Sequence, residues 1–160
     1  MTAGTEPRRD GPVIADRPAP GTPRAYAFPP VRTARLANGL TVRTADLPGR
    51  PLISATVLLP IGAVDEPADR AGATVLMARA LSEGTERYDA VALTEAAERL
   101  GAALHAEAGW DAVSAGVDVP ASRLAPALDL LAELLLRPTF PAGEVERLRD
   151  ERLNDLLQAQ

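Results

Sequence analysis

The sequence predicts an α+β fold: a mostly antiparallel sheet with helices packed on one face. Two observations carry this. Short β-prone runs and helical stretches follow one another in the order β-β-β-α-α-β-β-α-α. Asn38-Gly39, between the first two runs, is the strongest short-range signal for a hairpin.

The elements follow in order. Val31, Thr33 and Arg35 alternate with Arg32, Ala34 and Leu36, and after Asn38-Gly39 the segment from Leu40 to Ala45 is β-prone again. Leu52 to Leu59 (LISATVLL) is apolar enough to predict a central strand buried on both faces. A turn-like segment from Gly62 to Asp69 comes next, in which Asp65, Glu66 and Asp69 read as turn and cap residues. A helix is expected over Ala71–Ser82, with Gly84 suited to its exit. A second runs from about Asp89 or Ala90 to Leu100 and ends at Gly101. Two strands near Ala102–Ala108 and Ala112–Val119 flank Gly109-Trp110-Asp111, where Trp110 most simply packs on the domain edge, an interface anchor being the alternative. A Leu-rich helix extends to about Leu136. In the last helix Val145, Leu148, Leu153, Leu156 and Leu157 form one apolar stripe, with Glu144–Arg147 and Glu146–Arg149 as pairs on the wet side.

Composition narrows the function classes. The chain of 160 residues is 46% hydrophobic but only 3% aromatic, so its core must be built from Leu, Val and Ala. A net charge of −5 without a basic cluster argues against nucleic acid or an anionic membrane as partner. All 17 basic residues are Arg, which with the abundant Ala reads as the codon bias of a high-GC bacterial genome. There is no Cys, no apolar run approaching the roughly 20 residues of a membrane span, and no apolar stretch after Arg8 and Arg9, so a cytoplasmic protein is expected. Residues 1–30 hold seven of the fifteen prolines and read as a disordered lead-in, leaving 31–160 as the globular part. The chain stops at Gln160 without a cap, as though its last helix and the domain continued.

Five segments in register resemble the insulinase and pitrilysin family of zinc peptidases, which includes the mitochondrial processing peptidases. Leu36-Ala37-Asn38-Gly39-Leu40-Thr41-Val42 is similar to its xNGLxV hairpin, and Gly62-Ala63-Val64-Asp65-Glu66-Pro67 to the segment before its active-site helix. Gly72 to Thr85 (GATVLMARALSEGT) resembles GxAHxxEHxxxxGT in length and ending. Leu100-Gly101-Ala102 before two strands and Leu134 to Phe140 (LLLRPTF) complete the set. The resemblance implies the metallohydrolase fold of that family, with this chain as the first of two related domains.

It also implies a loss. In HxxEH the two His lie one helical turn apart and bind one zinc ion, and the Glu activates the zinc-bound water. Here the first His position is Val75, the Glu position Ala78 and the second His position Arg79; the distal Glu ligand falls near Leu156, with Glu151 and Asp155 as acidic neighbours. Independently of alignment, one His and no Cys cannot assemble a site of two His and a Glu, and no calcium-type loop occurs.

Other candidates are few. His105 stands where the family has a substrate-side Asn; it reads as a half-exposed strand residue, or as a peptide contact at the sheet edge. Ser54, Ser82, Ser114 and Ser122 lack a nucleophile elbow, and no phosphate-cradling glycine loop is present. Arg79 is either a solvated helix residue or a plug of the degenerate site, paired with an acid.

Active chains of the family often work beside a similar chain without the zinc motif. The expectation is therefore a non-catalytic partner subunit, without cofactor, that helps a homologous active zinc peptidase bind extended peptide. The alternatives are an active zinc metalloendopeptidase of the same fold, or a purely structural core subunit.

Overall fold

The computed structural model describes residues 20–23 and 25–158. The lead-in expected over 1–30 falls largely on residues 1–19 and 24, outside the described residues. The chain divides into two compact units, Met1–Leu47 and Pro48–Gln160.

In the first unit, β1 (Val31–Arg35) and β2 (Thr41–Ala45) form an antiparallel ribbon registered from Val31 against Ala45 to Arg35 against Thr41. Its turn is closed by the Leu36 N–H donating to the Leu40 carbonyl (2.8 Å) and the Leu40 N–H donating to Asn38 Oδ1 (3.1 Å). Gly39 takes φ +91°, a conformation that a side chain would strain, which is why Asn-Gly marks the hairpin.

The second unit holds a three-stranded antiparallel sheet in the order β3 (Leu52–Leu59), β5 (Val113–Pro120), β4 (Ala103–Ala108). The fold is α+β as predicted, but the strands form two sheets, and the expectation of a central, doubly buried β3 is corrected. Among the described residues β3 lies at an edge, with Leu52 and Leu58 each 67% exposed. The middle position belongs to β5, whose Val113, Ala115, Val117 and Val119 are buried. An apolar run states that a strand is buried on at least one side; it does not state how many neighbours the strand has.

One face of this sheet carries the core. Ala115, Val117 and Val119 of β5 pack with Leu93 and Ala97 of α2 (Ala90–Arg99) and with Ala127, Leu130, Leu131 and Leu134 of α3 (Leu124–Leu136). On the opposite face Ser54, Thr56, Ala103, Glu107 and Asp118 are exposed. Helix α2 begins where the sequence indicates, the Asp89 carboxylate accepting the Ala92 N–H at 2.8 Å. The first helix, α1 (Ala73–Ala80), is shorter than expected because Gly72 adopts φ +94° and so stands outside the helix.

Two further expectations are corrected. Trp110 does not pack on the domain edge: its side chain is 78% exposed, while its carbonyl accepts the Val64 N–H at 3.0 Å. In α4 (Ala142–Gln158) only Leu148 of the apolar stripe is buried, and Leu153, Leu156 and Leu157 are 52%, 48% and 68% exposed. On its wet side Arg147 meets Glu144 as predicted (2.7 Å), but Arg149 pairs with Asp150 (3.2 Å) rather than with Glu146.

Candidate functional site

Helix α1 is aimed by its flanks. At its start the Glu66 carboxylate accepts the N–H groups of Gly72 and Thr74, both at 2.6 Å, so a side chain six and eight residues upstream serves donors that Gly72, without a side chain, cannot cap. Hydrogen bonding to Thr74, with the Gly72 N–H, holds the Glu66 carboxyl below its ordinary pKa, as expected for an anion at a helix N-terminus. Upstream, Asp65 accepts the Gly62 N–H at 2.9 Å, and a Cβ on Gly62 would collide with the Trp110 carbonyl.

The exit of α1 is tied to the end of α3. Glu86 N–H donates to the Arg137 carbonyl (3.0 Å) and Thr139 N–H to the Gly84 carbonyl (3.0 Å). Beneath this loop the Glu133 side chain is fully buried. Its carboxylate accepts the Arg87 N–H (3.2 Å), Arg87 Nε (3.0 Å) and an Arg137 guanidinium N–H (3.0 Å). Burial alone would raise its pKa. The hydrogen bond from Arg137, with the charge and N–H of Arg87, outweighs that and lowers it.

Between α1, β4 and α4 lies a cleft of about 400 Å³. Ala78, Arg79, Ser82 and Glu83 line it from α1 and its exit, Leu104, His105 and Ala106 from β4, and Arg147, Leu148 and Glu151 from α4. Charge dominates its rim. Arg79 reaches Glu151 at 3.5 Å and Asp155 at 4.0 Å, bridging α1 to α4. Arg147 binds Glu144 at 2.7 Å, Glu151 at 2.6 Å and Glu83 at 3.1 Å. Hydrogen bonds to Glu144 and Glu151, then to Glu83, raise the pKa of Arg147 and fix it as a cation. His105 is half-buried and stands opposite Gly116 in the sheet, where a Cβ on Gly116 would lie 2.5 Å from the imidazole Nε2.

The residues singled out in sequence thus separate into two groups. Ala78, Arg79 and His105 come together at the cleft; Ala78 is buried in its wall and Arg79 crosses it. Val75 is half-buried one turn before Arg79 and does not line the cleft, and neither does Leu156. The carboxylates that face α1 are its neighbours Glu151 and Asp155. Among the described residues no three His, Asp or Glu side chains converge as ligands for one metal ion. Sequence reasoning missed Glu83 as a partner of Arg147 and Glu133 as the buried anchor; the Glu133–Arg137 spacing of four was a usable local signal, whereas the contacts with Glu83 and Arg87 are distant in the chain.

Comparison with known proteins gives the context. Residues 41–160 match the sequence pattern of Insulinase (peptidase family M16). Uncharacterised zinc proteases of Mycobacterium tuberculosis and Mycobacterium bovis are 33% identical over 140 residues, covering 88% of this chain and 32% of the relatives. The chain thus spans about a third of the length of the curated relatives it matches. Among solved structures, the peptidase M16 inactive domain from Pseudomonas fluorescens superposes with a TM-score of 0.74 at 26% identity, covering 79% of this chain and 31% of that one. A protease from Helicobacter pylori is similar in fold, with a TM-score of 0.70 at 21% identity over 78% of this chain and 30% of that one. No helix among the described residues is long and apolar enough to cross a membrane.

Proposed function

The chain belongs to the insulinase family of peptidases, M16, and from that premise we propose that it is a non-catalytic member, the partner of an active zinc peptidase chain for which it helps to hold extended peptide. The observation that carries this reading is Arg79. Its guanidinium stands on α1 where the resemblance puts the second zinc-binding His, and it points at the α4 carboxylates Glu151 and Asp155.

Zinc does not fit the residues present. Val75 has no lone pair, Ala78 can take no proton from a bound water, and Arg79 is a permanent cation that repels a dication. No step of peptide hydrolysis is therefore assigned to this chain. The name of the Pseudomonas fluorescens neighbour, an inactive domain, favours the same reading. The mycobacterial relatives are named zinc proteases and stand on the side of the alternative, an active peptidase.

Peptide holding is supported by β4. Among the described residues it pairs only with β5, so its other edge offers free N–H and C=O groups beside the cleft that Leu104, His105 and Ala106 line. An extended peptide can add to such an edge as a further strand, with His105 at its side. A purely structural subunit would need neither the edge nor the cleft. The test is metal content and peptidase activity of the purified protein, alone and with a homologous chain carrying intact HxxEH. Stoichiometric zinc with hydrolysis by the chain alone would refute the proposal, whereas stimulation of the homologue's hydrolysis supports it.

A further inference from the structure

The misfit between this cleft and zinc has a structural counterpart. We propose that the Arg79 guanidinium is a built-in cation that stands in for the metal, joining α1 to the α4 carboxylates and barring divalent ions from the cleft. The proposal rests on the reading of the chain as non-catalytic and states how its metal-free cleft is held together.

A pair of carboxylates on one helix facing another helix repels itself unless a positive charge lies between them. Asp155 has Arg79 as its only ion-pair partner among the described residues, at 4.0 Å. Glu151 is shared between Arg79 (3.5 Å) and Arg147 (2.6 Å). Two guanidiniums therefore offset the carboxylates on the side of α4 that faces α1, Arg147 from α4 itself, where it also holds Glu144 and Glu83, and Arg79 from across the cleft. Among the described residues only Arg79 joins α1 to Asp155. A guanidinium cannot be deprotonated here, so the barrier to a dication is permanent rather than pH-gated.

Arg79→Ala leaves Asp155 without a cation and Glu151 with one. Built oxygen sites for hard divalent ions reach midpoints of about 1 mM at their weak end, which is the tightest binding these two carboxylates can offer. The thermal midpoint of the full Arg79→Ala chain should therefore show a measurable rise, up to about 3 °C, in 10 mM Ca²⁺ or Mn²⁺. The wild-type and Arg79→Lys chains should not respond, and Asp155→Asn in the Arg79→Ala background should remove the response. Arg79→Gln, closer in size, makes the same test should the alanine variant fail to fold.

A loss of stability without cation response in both neutral variants would overturn the proposal and reduce Arg79 to a surface ion pair, leaving the non-catalytic reading intact. Stoichiometric zinc in the wild-type chain would overturn both.

Discussion

Replacing Val75 and Arg79 by His, together with Ala78→Glu, should create a zinc site on α1 at the margin of the cleft. Residues 75 and 79 lie one turn apart on one face of α1, the spacing at which two imidazoles reach a single ion. Arg79 already brings its charge to 3.5 Å from Glu151 and 4.0 Å from Asp155, so these two carboxylates are the nearest candidates for the third position. The cost in the apo form has two parts: the two exposed ion pairs contribute about 0.2–1 kcal/mol each, and a carboxylate at Ala78, which is 2% exposed, costs about 1–3 kcal/mol more. Three ligands binding zinc with a Kd of about 1 μM correspond to about −8 kcal/mol. At a hundredfold excess over that Kd, zinc stabilises the fold by about 2.7 kcal/mol, a rise in Tm of roughly 5–10 °C. Elemental analysis after dialysis against zinc should give one ion per triple-variant chain, and thermal melts with and without zinc should separate by that margin. A folded variant that takes up no zinc would refute the placement of this helix face toward the α4 carboxylates.

Leu134 is 1% exposed and touches both the core and the cleft wall, so Leu134→Ala should destabilise the chain by about 2–5 kcal/mol in urea titration with little change of m-value. Glu133 has a folded-state pKa below its ordinary value of 4.5. Its contribution is therefore fully present above pH 4.5 and lost as pH falls through the lower, folded value. Acid unfolding of Glu133→Gln should accordingly begin from a lower stability and show a shallower fall below pH 4.5 than the parent. Gly116→Ala places a methyl carbon 2.5 Å from His105 Nε2 and 2.8 Å from the Ala55 carbonyl. It should lower Tm, and His105→Ala in the same chain should restore only part, because the backbone carbonyl cannot give way.

Local features of the sequence foretold local structure. Asn38-Gly39 specified the hairpin through a positive φ, and Asp89 fixed the start of α2 through a cap bond within its own turn. The pairing of Arg79 with an acid was open in sequence because two readings of a helix Arg differ only in what another helix brings opposite it. The distal carboxylate position shows the same limit. Counting along the chain placed it near Leu156 with Glu151 and Asp155 as acidic neighbours, and it is the fold that shows both of these carboxylates meeting Arg79. Trp110 and β3 were misjudged for a related reason: apolar character indicates a wish to be buried, and among the described residues nothing covers Trp110 or the outward-facing Leu52 and Leu58 of β3. The Glu133–Arg137 pair was legible as an i,i+4 spacing, but Arg87 lies 46 residues from Glu133, so only the folded loop reveals that the anion is buried and held by a second guanidinium.

The central claim is that this chain carries the peptidase fold without the peptidase chemistry. Zinc analysis of the purified wild-type protein, with peptide hydrolysis measured on the same sample, tests it most directly. Substoichiometric zinc, together with hydrolysis that appears only when a homologous HxxEH chain is added, is the predicted result. One tightly held zinc per chain with turnover in the absence of any partner would contradict it.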